Sequence, residues 1–271
     1  MIEILLSTYN GEKYLREQLD SLFAQTQQDW ELLIRDDGSK DKTPSIIEDY
    51  IKRYPGRIFL LEDERGNLGS GGSFSALLEQ SNAPYVMFCD QDDVWLPRKI
   101  EKTFSEMRDL ESKYPDLPLL VATDLTIVDE NLQEISPSFI QDQRLFPDAL
   151  QNVYKCLALS VVPGCTMMLN RRAVLRSLPL PQGHGHDHWI ASIVSYYGKI
   201  SFCDFSTILY RQHGKNVYGK KKIGFLYYCG RFRKIFSVMK AHYTIWKQLP
   251  FSVNPIVYGY YIIYYAVRRC F

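Results

Sequence analysis

An apolar run, Pro84-Tyr85-Val86-Met87-Phe88-Cys89, leads straight into Asp90-Gln91-Asp92-Asp93-Val94-Trp95, which places three carboxylates within four positions. Carboxylates crowded at the end of a buried strand repel one another unless a cation sits among them. Hard divalent ions such as Mg²⁺ or Mn²⁺ take oxygen ligands and bridge one or two carboxylates to substrate phosphates, so the segment is a candidate metal-diphosphate site. An acidic turn capping the helix expected from about Leu96 would account for one acid, not three. A second cluster is Gly183-His184-Gly185-His186-Asp187-His188-Trp189, a glycine-flexed approach to a helix expected over Trp189 to Tyr197. Its single carboxylate can cap that helix, while its histidines could bind zinc, although no cysteine or second cluster at a useful spacing completes such a site. A third segment, Gly66-Asn67-Leu68-Gly69-Ser70-Gly71-Gly72-Ser73, is glycine-rich without the spacing of a P-loop or of G-x-G-x-x-G.

Periodicity indicates what must position these groups. Ile2 to Ser7 is a short apolar run, and Tyr14, Leu15, Leu19, Leu22 and Phe23 share one helical face. Strand signals recur at Glu31 to Arg35, Arg57 to Leu61 and Tyr85 to Cys89, with helices expected over Thr43 to Arg53 and Phe74 to Gln80. Strands alternating with helices predict an α/β fold with a mostly parallel sheet, and such sheets bind ligands beyond the carboxyl ends of their strands. Tyr9-Asn10, Asp36-Asp37 and Asp90 to Asp93 all fall at those ends. After Pro118 the pattern loosens: Leu119 to Thr123 and Cys165 to Leu169 look like strands, and Asn131 to Asp148 like a loop-rich insertion facing an acceptor.

The net charge of +1 conceals an asymmetry. Residues 1–204 carry 20 Lys/Arg against all 31 Asp/Glu, whereas residues 205–271 carry 12 Lys/Arg and no acid, together with 10 of the 19 tyrosines. Basic, aromatic and apolar together is the composition of an interfacial membrane segment. The uncharged stretch Gln248 to Val267 is long enough to be weighed as a bilayer span, but its prolines, Asn254, Gly259 and tyrosines favour helices lying on the membrane surface. The alternative is a helical pair packed on the preceding domain. Charge alone would support nucleic-acid binding through residues 215–240, where no recognised motif accompanies it, and nucleic acid is excluded as the expected partner. Six cysteines without a Cys-x-x-Cys pair fit reduced core thiols and a cytosolic protein, and the N-terminus is expected to be a first strand, not a signal peptide.

Taken together, the motifs resemble the family 2 inverting glycosyltransferases of the GT-A fold. The likeness rests on Leu5 to Leu15, on Gln25-Thr26 with Trp30-Glu31-Leu32, on Arg35-Asp36-Asp37-Gly38-Ser39-Lys40-Asp41-Lys42-Thr43, and on Asp90-Gln91-Asp92 as the DxD, in the family's order over roughly residues 2–215. It implies a GT-A catalytic domain over 1–215, with nucleotide-sugar binding in about 1–95 and the acceptor side in about 96–215, and a basic, aromatic helical tail over 216–271.

The resemblance also implies roles. Ser7, Tyr9, Asn10 and Asp37 would contact the nucleoside, an aromatic face stacking a pyrimidine and a carboxylate accepting from its ring N–H. Asp37 could equally form an Asx-type turn. Asn67, Gly69, Asp90 and Gln91 would approach the sugar nucleotide. Asp92 would be the main metal ligand, with Asp90 on ribose or metal and His213 completing the coordination of Mn²⁺ or Mg²⁺. Asp187 would be the general base, with His186 in the position where relatives often carry a second acid. Trp95, Trp189 and His186 are expected near the acceptor or sugar.

Phe88 to Trp95, His186 to Trp189 and Tyr210-Arg211-Gln212-His213 with Asn216 look most like bacterial rhamnosyltransferases of surface polysaccharide assembly. The implied donor is dTDP-L-rhamnose, with a UDP-hexose or UDP-N-acetylhexosamine as alternatives. The acceptor would be a glycan or polyprenyl-linked glycan at the anionic inner face of the cell membrane, where the protein would attach peripherally. A homodimer is left open, as is a sugar-nucleotide-binding subunit without turnover.

Overall fold

The computed structural model describes residues 1–181, 185–213 and 247–269. Gly183, His184, Asn216, Lys220 to Lys222, Cys229, Cys270 and the expected tail boundary lie outside the described residues.

The chain runs β1 (Ile2–Thr8), α1 (Leu15–Phe23), β2 (Trp30–Asp36), α2 (Thr43–Arg53), β3 (Ile58–Leu60), α3 (Gly69–Gln80), β4 (Tyr85–Cys89), β5 (Val94–Trp95) and α4 (Lys99–Lys113). It continues with β6 (Leu119–Val128), β7 (Glu134–Ser136), α5 (Phe139–Asp142), α6 (Val153–Ala158), β8 (Met167–Asn170), α7 (Arg171–Ser177), α8 (His186–Tyr197), β9 (Lys199–Arg211) and α9 (Pro255–Arg268). One mixed sheet has the order β3-β2-β1-β4-β8-β6-β9-β5, with β7 on β6. The first four strands are mutually parallel; β8 then runs antiparallel to both its neighbours, and β6 pairs parallel with β9.

Strands in the middle of this sheet are covered on both faces, which explains their nearly continuous apolar runs. Alternate residues feed opposite cores. Leu5, Val86, Phe88 and Leu120 join Phe74, Trp189 and Ile190 on one side. Ile4, Leu6, Met87 and Val121 join Leu19, Trp30, Ile46 and Ile100 on the other. β1 lies between β2 and β4, so the loops after these three strands open onto one crevice where the strand order reverses.

β9 is the element that sequence patterning missed. It follows α8 directly, pairs with β6 through register shifts around Asp124, and holds β5 on its far edge. α9 packs on α6 and inserts Tyr258 and Tyr265 into the first core. Its 14 residues begin only at Pro255 and, at about 1.5 Å each, reach roughly 21 Å. Among the described residues no helix is long and apolar enough to cross a membrane. Cys89, Cys156, Cys165 and Cys203 are buried free thiols.

Candidate active site

Three loops meet in the crevice. At the end of β1, Tyr9 is 47% exposed with its ring open to solvent, while Asn10 turns the chain at a φ of 48°. Asn10 ties this loop to the next one: its N–H donates to Ser39 Oγ and its Oδ1 accepts from Lys40 N, both at 2.8 Å. Gln91 ties it to the third, accepting from Tyr9 N at 2.9 Å and donating to Tyr9 O at 3.0 Å. A Cβ on Gly11 would stand 2.2 Å from Gln91 Oε1, so glycine is what lets this clamp close. Gln91 was expected on the sugar nucleotide; its amide is instead engaged by the backbone of Tyr9.

The second loop is satisfied by its own donors. Asp36 accepts from Thr8 Oγ1 and Ser39 N, each at 2.8 Å. Arg35, 2% exposed, pairs closely with Asp37, grips both oxygens of Asp63 at 2.9 Å and donates to Gly66 O at 2.7 Å. The guanidinium holds the Asp63 carboxyl down to about 2. Asp37 accepts Leu68 N at 2.7 Å and Gly69 N at 2.8 Å, so a carboxylate caps the N-terminus of α3 from another strand. Asn67 Nδ2 closes on Asp37 O at 2.8 Å. The expected nucleobase acceptor and the expected donor-binding N–H are thus bonded to each other, which joins the loop after β2 to the start of α3. Ser7, half-buried, lies on β1 opposite Arg35.

The third loop differs. Asp92 Oδ2 lies 2.8 Å from His213 Nε2, and the His213 ring stacks on Tyr14 at 5.1 Å and 29°. Asp93 is wholly buried; its Oδ1 accepts from Arg211 N at 3.1 Å, while its Oδ2 is without a hydrogen-bond partner. Burial, then the negative charges of Asp92 and Asp187, push the Asp90 carboxyl up to about 7. Asp187 itself is 5% exposed in the first turn of α8, its Oδ1 accepting from His188 N at 2.7 Å. Residues 90, 92, 187 and 213, distant in sequence, therefore share one electrostatic neighbourhood.

Arg211, which sequence reasoning passed over, holds this centre together. Buried at 1% exposure, it donates from Nε to Asp92 O at 3.0 Å, from Nη1 to Glu130 O at 2.6 Å and from Nη2 to Glu17, with its guanidinium 4.4 Å from the Tyr14 ring centre. The available signal was its place two residues before His213. Underneath, Lys99 is fully buried with Nζ 3.4 Å from Thr207 Oγ1 and 4.7 Å from the Trp95 ring centre, and burial pulls its ammonium down to about 8.

Donor chemistry in this centre fits a divalent cation. Asp90, Asp92 and His213 offer the oxygen and imidazole groups that Mn²⁺ accepts, and added positive charge relieves the repulsion that raises Asp90 and the orphaned Asp93 oxygen. Asp90, Asp93 and Cys165 also bring ligand atoms within 4.8 Å of one another. Burial drives the Cys165 thiol far above its ordinary range.

Of three expected sugar contacts, Trp95 and Trp189 are core residues and His186 is half-buried. Trp95 is 2% exposed, sealed between α1 and β9. Trp189 is 7% exposed and its indole donates to Ser177 O at 2.8 Å. His186 packs 4.4 Å from Phe74 and 4.9 Å from Phe88, and its Nε2 would stand 2.3 Å from a Cβ on Gly164. Their bulk anchors α8 and β5 instead of meeting a sugar.

The glycosyl transferase family 2 model matches residues 3–177, well over half the chain and including every β1, β2 and β4 loop just described. The chain belongs to glycosyl transferase family 2. Among relatives, it is 23% identical over 269 residues to UDP-Glc:alpha-D-GlcNAc-diphosphoundecaprenol beta-1,3-glucosyltransferase WfgD of Escherichia coli, covering 98% of this chain and 92% of WfgD. It is 26% identical over 228 residues to dTDP-rhamnosyl transferase RfbG of Shigella flexneri, covering 79% of this chain and 73% of RfbG. It spans 57% to 66% of the length of related glycosyltransferases from Nostoc and Rickettsia. The mannosyltransferase PcManGT of Pyrobaculum calidifontis, solved with GDP-Man and Mn²⁺, superposes with a TM-score of 0.62 at 17% identity over 99% of this chain and 72% of that one, which establishes a shared GT-A-like fold.

Proposed function

We propose that this member of family 2 is a metal-dependent inverting glycosyltransferase that moves a sugar from a nucleoside diphosphate donor to a glycan or polyprenyl-linked acceptor. The observation that carries the reading is the convergence of Asp90, Asp92, Asp187 and His213 from distant parts of the chain: Asp92 Oδ2 lies 2.8 Å from His213 Nε2, and His186, next to Asp187, packs 4.9 Å from Phe88, two residues before Asp90. Tyr9 offers an open aromatic face for the base, beside Ser7 and Asn10. Asp92, Asp90 and His213 would hold Mn²⁺ or Mg²⁺, which when bound offsets the charge of the departing diphosphate.

Asp187 takes the proton of the acceptor hydroxyl, whose oxygen attacks the anomeric carbon from the face opposite the leaving group. The bond from that carbon to the diphosphate oxygen breaks, its electron pair leaves with the diphosphate, and the configuration inverts. Arg211 fixes the Asp92 carbonyl and the Asp93 carboxylate while these charges develop. We favour dTDP-L-rhamnose as donor, on the motif likeness and on RfbG, with UDP-glucose as the rival that WfgD represents.

The test is transfer by purified protein from dTDP-rhamnose, UDP-glucose, UDP-galactose and UDP-N-acetylhexosamines, with Mn²⁺ or EDTA and membranes as the acceptor source. Turnover of one donor that needs the metal, giving the inverted anomer, is expected. Tight metal-dependent donor binding without turnover would replace the reading with a binding subunit.

A further inference from the structure

We propose that the outer face of α9 is a lipid-docking surface and that its occupant is the headgroup layer of an anionic bilayer. Ile256, Tyr260, Ile263, Tyr264 and Val267 recur at helical spacing and are 81%, 60%, 48%, 37% and 43% exposed. A helix resting on a domain ordinarily turns polar residues to solvent. This one is apolar and aromatic on both sides, since its inner face already buries Tyr258 and Tyr265.

The helix is also held rigidly. Asn254 caps its first turn by accepting from Ile256 N at 2.9 Å. At the other end Arg268 pairs with Asp148 at 3.0 Å and lies 3.8 Å from the Phe146 ring centre, and Arg269 donates to Gln143 O at 2.6 Å. Just before the helix, Phe251 stacks on Tyr196 at 3.9 Å. The exposed stripe is therefore a fixed platform.

Two observations select the occupant. Besides Arg211, Arg268 and Arg269, which are engaged within the fold, residues 205–271 hold nine Lys/Arg and no acid, a charge that an anionic surface attracts and a second copy of the same segment repels. The stripe is also too small for a stable dimer. A helix of about 21 Å with a face about 10 Å wide presents roughly 200 Å², against the ~800 Å² per partner of a stable interface. Aliphatic side chains with flanking tyrosines suit the headgroup and acyl boundary, tyrosine lying at headgroup level.

The position is apt for the chemistry. α9 packs on α6, and the Cys156 carbonyl of α6 lies 3.0 Å from His188 Nε2, next to Asp187 on α8.

The experiment is flotation of the full chain with phosphatidylcholine vesicles and with vesicles containing phosphatidylglycerol, which requires no turnover. Binding to the anionic vesicles, weakened by salt, is expected. The triple variant Ile256→Ser/Ile263→Ser/Val267→Ser, which changes only exposed side chains, should bind at least about tenfold more weakly with an unchanged melting temperature. Lack of binding by the parent chain, or undiminished binding by the triple variant, would overturn the proposal. So would a concentration-dependent dimer that the same three changes dissociate, because the face would then be an interface between copies.

Discussion

The loops after β2 and β4 are equally acidic and built in opposite ways. After β2, the carboxylates meet donors: Asp36 has Thr8 and Ser39, and Asp37 has Arg35 and two backbone N–H groups, while Asp63, after β3, takes two further N–H groups of the same Arg35. After β4, burial and then the charges of Asp92 and Asp187 push Asp90 up, and although Asp92 meets His213 and one Asp93 oxygen accepts from Arg211 N, the other Asp93 oxygen has no hydrogen-bond partner. A carboxylate ringed by donors is a structural element, whereas one ringed by other carboxylates is unfavourable for the fold alone and suits the handling of external charge. Donor supply, not acidity, distinguishes the two loops.

That contrast can be broken most forcefully at Asp187. Asp187→Asn should lower turnover by about 10²–10⁴-fold, measured in the transfer assay, with the urea midpoint close to that of the parent. On the other side, Arg35→Met should destabilise the chain by about 3–5 kcal/mol in urea unfolding, because Asp37 and Asp63 lose their buried counter-charge together. Wild-type stability for Arg35→Met would show that the backbone donors alone suffice.

Gly11→Ala should cost about 1–3 kcal/mol, since the new Cβ pushes the Gln91 amide off Tyr9. Its donor KM should rise more than kcat changes, as the clamp positions the base-stacking ring. The smallest effect is a pH dependence. Asp63 is held down to about 2 when folded against an ordinary 3.8, so its pairing stabilises fully above 3.8 and is lost as pH falls through 2. Asp63→Asn should therefore lose about 1–2 kcal/mol at neutral pH, and the gap from the parent should close across that acid window.

Much of the frame was legible in the chain. The strand at Tyr85 to Cys89 and the helix from Thr43 to Arg53 lie where apolar period and Pro44 put them. β9 was not legible, because Phe202, Cys203, Phe205 and Ser206 break alternation where its pairing with β6 shifts register. Within the site, type and spacing singled out Asp90, Asp92 and Asp93, and the family resemblance added Asp187 and His213. They could not tell that Asp37 and Gly69 bond to each other or that Gln91 is a backbone clamp, because those partners lie on different strands. That Trp95 and Trp189 fill the core was not legible for a related reason: an aromatic beside an acidic motif has the same sequence signature whether it faces a ligand or packs inside. Arg211 stayed hidden because its role rests on contacts with residues 17, 92 and 130.

The sharpest single measurement is thermal melting of Asp90→Asn and the parent chain, each with and without Mn²⁺. The account predicts that without metal the variant melts at or above the parent, since one repelling charge is gone, and that the stabilisation Mn²⁺ gives the parent is largely abolished. A variant that melts well below the parent yet retains the full Mn²⁺ stabilisation would make Asp90 a structural acid like Asp37, and would contradict the assignment of this loop to chemistry.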